Sequence, residues 1–140
     1  MNQIEAILNH FEEYSRYMGL NYLWDISDTI LKREYPDIEI QYDPDTAFFK
    51  SLEVMLNSGN QCLFHNLNGE DPSRDGELLT CSPTEQIKLL KKVWIGKEAM
   101  DKMDEENGYL GWWFLNYVPY SLAHKVFDES GQFVKWWHSE

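Results

Sequence analysis

Ten aromatic residues crowd one late stretch of this chain: Tyr109, Trp112, Trp113, Phe114, Tyr117, Tyr120, Phe127, Phe133, Trp136 and Trp137. A large ring removes roughly 150–250 Å² from water when enclosed, so a segment this rich either builds a core or meets another surface. Adjacent tryptophans tighten the constraint. In a strand, neighbouring side chains face opposite sides of the sheet, so Trp112 and Trp113, or Trp136 and Trp137, cannot both turn to one core. If Trp113 and Trp136 pack inward, Trp112 and Trp137 need cover from a helix, a second copy of the chain or a different protein.

The 140 residues fit one domain with one core. Twelve Lys and Arg stand against twenty-four Asp and Glu, a net charge of −12 that repels nucleic-acid phosphate and anionic membranes and attracts basic surfaces. The high hydrophobic fraction argues against intrinsic disorder. Met1-Asn2-Gln3-Ile4-Glu5 lacks the basic start and apolar run of a secretory signal, so the expectation is a mature chain beginning here, with a cytoplasmic address. Between Glu106 and Lys125 no residue is formally charged, but Asn107, Gly108, Asn116, Pro119 and Ser121 interrupt a run already short for a membrane crossing. Without an export signal, Cys62 and Cys81 read as reduced, small buried residues.

Ile4, Ile7, Leu8, Phe11, Tyr14 and Met18 recur at helical steps, with Gly19 as the expected stop. A second helix from about Asn21 carries Leu23, Ile26 and Ile30 on one side, ends before Pro36 and forms a hairpin with the first. Ile38, Ile40 and Tyr42 alternate with polar residues, as in a short strand or extended connector. Asp43-Pro44 caps a third helix bearing Phe48, Phe49, Leu52, Met55 and Leu56 up to Gly59. Cys62 to His65 reads as a brief strand, and Asn68 to Gly76 as a polar loop.

Ser82-Pro83-Thr84-Glu85 is a capping box opening a fourth helix, whose buried stripe is Ile87, Leu90, Val93 and Trp94. Gly96 ends it, and Lys97 to Glu106 form a further polar turn or two of helix. After Asn107-Gly108, glycine and proline punctuate aromatic and β-branched residues, a pattern suited to antiparallel strands. Asp128-Glu129-Ser130-Gly131 turns Ala123–Phe127 onto Phe133–Trp137 as a hairpin. The expectation is an α+β domain of four or five helices with a small antiparallel sheet.

Chemical signatures are weak. Cys62 and His65 have the spacing of half a zinc site that Cys81 and His124 would have to complete, but the second compact pair is missing. No nucleophile motif surrounds Cys62, and no glycine-rich phosphate cradle occurs. Carboxylate pairs in so acidic a chain arise by chance and need a cleft to have meaning. The sequence therefore assigns no catalytic residue, no metal and no cofactor.

Two acidic runs remain: Glu70, Asp71, Asp75 and Glu77, and then Glu98, Asp101, Asp104, Glu105 and Glu106 beside the aromatic block. Such runs commonly only solvate a surface. Beside exposed rings they also suit a face that steers and anchors a basic protein, and the residues selected for that role are Asp101, Asp104, Glu105, Glu106 and Trp112.

The carboxyl-terminal half, residues 78–138, resembles a family of small bacterial proteins called domain of unknown function 596. The resemblance rests on Ser82-Pro83-Thr84-Glu85-Gln86-Ile87, on Trp112-Trp113-Phe114 before Pro119, and on Asp128-Glu129-Ser130-Gly131 ahead of Trp136-Trp137. It brings no active site. Families of this kind are similar to immunity proteins, the cytoplasmic antidotes encoded beside bacterial toxins, which implies a non-enzymatic inhibitor of a basic toxin such as a nuclease. The alternatives are a small enzyme with a carboxylate or Cys/His site, and a homodimeric or larger structural module.

Overall fold

A computed structural model describes residues 1–66 and 72–139. Asn68, Gly69, Glu70 and Asp71 of the expected polar loop lie outside the described residues. Among the described residues, six helices, a 3-10 turn at Pro72–Arg74 and a three-stranded antiparallel sheet make an α+β fold. The helices are α1 (Gln3–Tyr14), α2 (the run Leu20–Asp25, Ile26–Ile30 and Leu31–Glu34), α3 (Pro44–Asn57), α4 (Pro83–Val93), α5 (Lys97–Asn107) and α6 (Trp112–Asn116). The strands are β1 (Gln61–His65), β2 (Tyr120–Phe127) and β3 (Phe133–His138), in the order β1-β2-β3.

Local chemistry explains the helix starts. Asn2, Asp43 and Ser82 each accept a backbone N–H from the third residue onward, at 2.9, 2.8 and 3.2 Å. The expected capping box at Ser82 is half made, because the Glu85 carboxylate pairs with Lys88 at 3.5 Å. α1 stops earlier than expected, with Ser15 as its cap. The left-handed residue of the following turn is Tyr17 (φ 68°), while Gly19 is extended and opens α2. α2 widens into a π turn at Ile26–Ile30, which rotates its later residues relative to a regular helix.

The segment Ile38–Tyr42 is a connector. Its strand partner is replaced by one side chain: the buried Gln3 amide accepts from the N–H groups of Gln41 and Tyr42, both at 2.8 Å, and donates to the Tyr42 carbonyl at 2.9 Å. Gln86 acts similarly on β1, accepting the Leu63 N–H at 2.9 Å and donating to the Cys81 carbonyl at 3.0 Å. These amides satisfy backbone groups that would otherwise cost about 1–3 kcal/mol each when buried.

Helices and sheet share one core, to which the paired strand residues Leu63 and Leu122 and the helix residues Phe48, Leu52, Ile7 and Leu23 all belong. Packed against this core, and itself only half-buried, is Trp94, the residue that caps α4. Its ring meets Phe48 (4.7 Å between centroids), Phe49 (4.8 Å), Trp24 and Trp113 (both 5.4 Å) and Phe114 (5.9 Å). Its indole N–H donates to Asp45 at 2.6 Å. Val93, the other expected member of that stripe, is exposed.

The segment after Gly108 departs from the expected strand. Trp112 to Asn116 form a short helix, and strand begins only at Tyr120. The hairpin forms as expected: Gly131 takes φ 83°, and Asp128 accepts from the N–H groups of Ser130 and Gln132, both at 2.9 Å. The outer edge of β1 is covered by residues 76–79, through bonds such as Leu79 N–H to the Leu63 carbonyl at 2.9 Å.

His124 ties the sheet to the α1–α2 turn. Its ring is 2% exposed, stacks on Phe11 and bonds through Nε2 to the Met18 carbonyl at 2.8 Å. That bond requires Nε2 to carry the proton. Burial holds its pKa below the ordinary value of 6.5, against the opposing pull of the Met18 carbonyl and Glu12.

Two outcomes are expected. In urea unfolding, Trp94→Ala loses about 3–5 kcal/mol, whereas Trp94→Phe, which keeps a ring but orphans Asp45, loses about 1–3 kcal/mol. Because the unfolded chain binds a proton at His124 more readily than the folded chain, stability falls as pH drops below 6.5 towards the lowered folded value. Thermal melts across that window should show a shallower decline for His124→Gln.

Candidate functional site

The acidic run folds as α5, with Met100 in the core and Asp101, Glu105 and Glu106 facing solvent. Lys97 at its start bonds Asp101 at 2.7 Å and Asp28 on α2 at 2.9 Å. Asp101, and after it Asp28, hold the Lys97 ammonium above its ordinary pKa against the opposing effect of burial. Asp101 is thus partly neutralised and fastened to the α2–α5 junction.

Asp104 has a different task. One carboxylate oxygen accepts the Trp112 N–H at 3.0 Å and the other accepts the Gly111 N–H at 3.2 Å. These are free donors at the start of α6, whose own cap residue is a glycine with no side chain to offer. The carboxylate also sits where helix partial charge is positive. Asp104 is therefore the remote cap of α6.

That cap shapes the corner between α5 and α6. Gly108 and Gly111 both take left-handed conformations, φ 63° and 78°, which reverse the chain within four residues. Residues with Cβ atoms rarely adopt them. The two residues between are forced outward: Tyr109 is 56% and Leu110 84% exposed. Tyr109 leans edge-on over the half-buried Trp112, with 6.3 Å between centroids. Asp101, Asp104, Glu105, Gly108, Tyr109 and Leu110 line a shallow groove of about 360 Å³.

The structure therefore gathers Asp101, Asp104, Glu105 and Trp112 around one corner, with Glu106 exposed on the same helix. It divides their roles between fold and surface. Missing from the sequence reading were Tyr109 as an exposed ring and Leu110 altogether. The spacing Gly108-x-x-Gly111 was the available signal, because two glycines so placed mark a tight corner with its middle residues displayed.

Elsewhere, Cys62 and His124 have structural employment, while the buried Nε2 of His65 has no hydrogen-bond partner among the described residues. Cys62 donates its thiol towards the Leu79 carbonyl at 3.3 Å, and burial pushes its pKa up, away from thiolate character at neutral pH. Both cysteines are free and half-buried. His124 points into the core, and among the described residues no three His, Cys, Asp or Glu converge as a metal site would require. No helix among them is long and apolar enough to cross a membrane.

Compared with models of known protein families the chain matches none, and no curated protein matches it. Its fold is similar to that of an uncharacterised protein conserved in bacteria, from Neisseria meningitidis. The TM-score is 0.58 and the identity 21%, over 95% of this chain and 86% of the other.

The division of labour on α5 is testable by stability. Asp104→Ala should cost about 1–2 kcal/mol through loss of the α6 cap, whereas Glu105→Gln and Glu106→Gln should stay within about 0.5 kcal/mol of the parent. Urea unfolding followed by tryptophan fluorescence measures both.

Proposed function

We propose that this chain is a non-enzymatic inhibitor that binds and neutralises a basic protein, as the immunity partners of bacterial toxins do. In this reading the resemblance to domain of unknown function 596 reflects membership, and the partner is a toxin, for example a nuclease. The observation that carries it is the α5–α6 corner. A tyrosine and a leucine stand in water at its tip, at 56% and 84% exposure, with Asp101, Glu105 and Glu106 beside them.

Each part of that corner has a use in binding. A net charge of −12 draws a basic surface in and speeds encounter, while the apolar tip offers contacts that slow release once water is expelled. Carboxylates suit a nuclease groove because its cationic side chains are arranged to receive phosphate. Leu110 and Tyr109 are the anchors and Glu105 and Glu106 the steering charges. Asp104 holds the corner rigid, which lowers the entropy lost on docking.

Co-expression with the protein encoded beside it, followed by affinity capture, should yield a complex whose association slows as salt rises. Leu110→Asp should weaken that complex by roughly 10–100-fold, the range expected for a central contact. Glu105→Lys with Glu106→Lys should mainly slow association. Failure to capture that neighbour, or capture indifferent to Leu110→Asp, overturns the reading.

A further inference from the structure

A second surface lies on the sheet. Among the described residues β3 pairs only with β2, so its other side is an open edge. Phe133, Val134 and Trp137 on it are 50%, 55% and 48% exposed. Natural proteins usually blunt such an edge with several charges, prolines or a covering segment. Here Lys135 is the one charged residue between Phe133 and Trp137, and the pairing irregularity opposite Val126 and Phe127 spares Lys135 to His138.

Backbone direction along this edge follows from two bonds. Ser139 N–H points to β2, donating to the Leu122 carbonyl at 3.2 Å, and Lys125 N–H points away from β3 to the Asn60 carbonyl at 2.8 Å. Alternation then turns the backbone groups of Lys135 and Trp137 towards β2 and those of Trp136 and His138 outward. Side chains alternate too. Lys135 and Trp137 share the face of His124, and the Lys135 ammonium lies 5.5 Å from the Trp137 ring centre. Trp136 lies on the other face, 5.5 Å from the Lys125 ammonium.

We infer that β3 pairs antiparallel with β3 of a second copy of this chain, centred on Trp136, to make a continuous six-stranded sheet. This register opposes the outward N–H and carbonyl of Trp136 to those of its own counterpart. It also sets Lys135 of each copy opposite Trp137 of the other, two cation–π pairs across the seam. A register centred on Lys135 opposes two ammonium groups. One centred on Trp137 leaves Lys135 opposite Ser139. Self-complementarity of this kind selects a second copy as the occupant.

The pairing is independent of the α5–α6 corner, and salt separates the two. Each copy carries −12, so screening should strengthen the dimer, whereas it should weaken capture of a basic protein. Analytical ultracentrifugation of the full chain should show a dimer that tightens with salt. Trp137→Lys, at an exposed position, should return it to monomer by placing two ammonium groups opposite each other. Trp136→Pro removes the outward N–H together with the ring beside Lys125 and should do the same, whereas Trp136→Ala, which keeps that N–H, should still dimerise.

Cross-linking fixes the register. Opposed Trp136 residues would have Cα atoms about 5.5 Å apart, inside the roughly 4.4–6.8 Å that a disulfide spans. Trp136→Cys should therefore oxidise to a covalent dimer well ahead of Lys135→Cys or Trp137→Cys in the same background, and mixing those two should produce the heterologous link. A monomer up to millimolar concentration, a dimer unmoved by Trp137→Lys, or preferential linking through either flanking cysteine overturns the inference.

Discussion

The hydrogen bond from Trp94 to Asp45 pins a half-buried indole against the flank of the core. It fixes one indole at the end of α4 and the start of α3, and around that indole gather Trp24 from α2, Phe48 and Phe49 from α3, and Trp113 and Phe114 from α6. Edge-to-face ring pairs favour particular orientations beyond their area burial, so one placed ring constrains its neighbours. The late aromatic block thereby becomes part of the same core as the amino-terminal helices, although far from them in sequence.

The displayed corner is a consequence of this packing. Trp113 and Phe114 are held inside, which forces α6 to begin close against α5, and the reversal then needs the left-handed glycines Gly108 and Gly111. Asp104 completes it by taking the two free N–H groups. Tyr109 and Leu110 are left with no interior to enter. A buried pair of rings and an exposed pair of apolar residues are thus two sides of one geometric solution.

Much of the helical framework could be read from residue order, since Asp43-Pro44, Ser82-Pro83 and the stripe Ile4, Ile7, Leu8 and Phe11 act through neighbours three or four positions apart. The hairpin was equally legible, because Asp128 and Gly131 shape their own turn. What escaped was non-local. α6 has no cap of its own and borrows one from Asp104, so its aromatic residues looked like strand. Ile38–Tyr42 looked strand-like because Gln3 supplies from α1 what a neighbouring strand would supply. The acidic run was visible as charge, but its division into the cap Asp104, the paired Asp101 and the exposed Glu105 and Glu106 was not.

By itself, then, residue order determined the class of fold, the starts of the principal helices, the hairpin and the acidic field, all of which arise from composition or from contacts within a few residues. Only the tertiary structure decided which aromatic residues lie inside, that Leu110 stands at the tip of a corner, and that β3 is, among the described residues, an open edge. Burial, remote capping and strand adjacency are relations between distant segments, and periodicity along the chain carries no record of which segments meet.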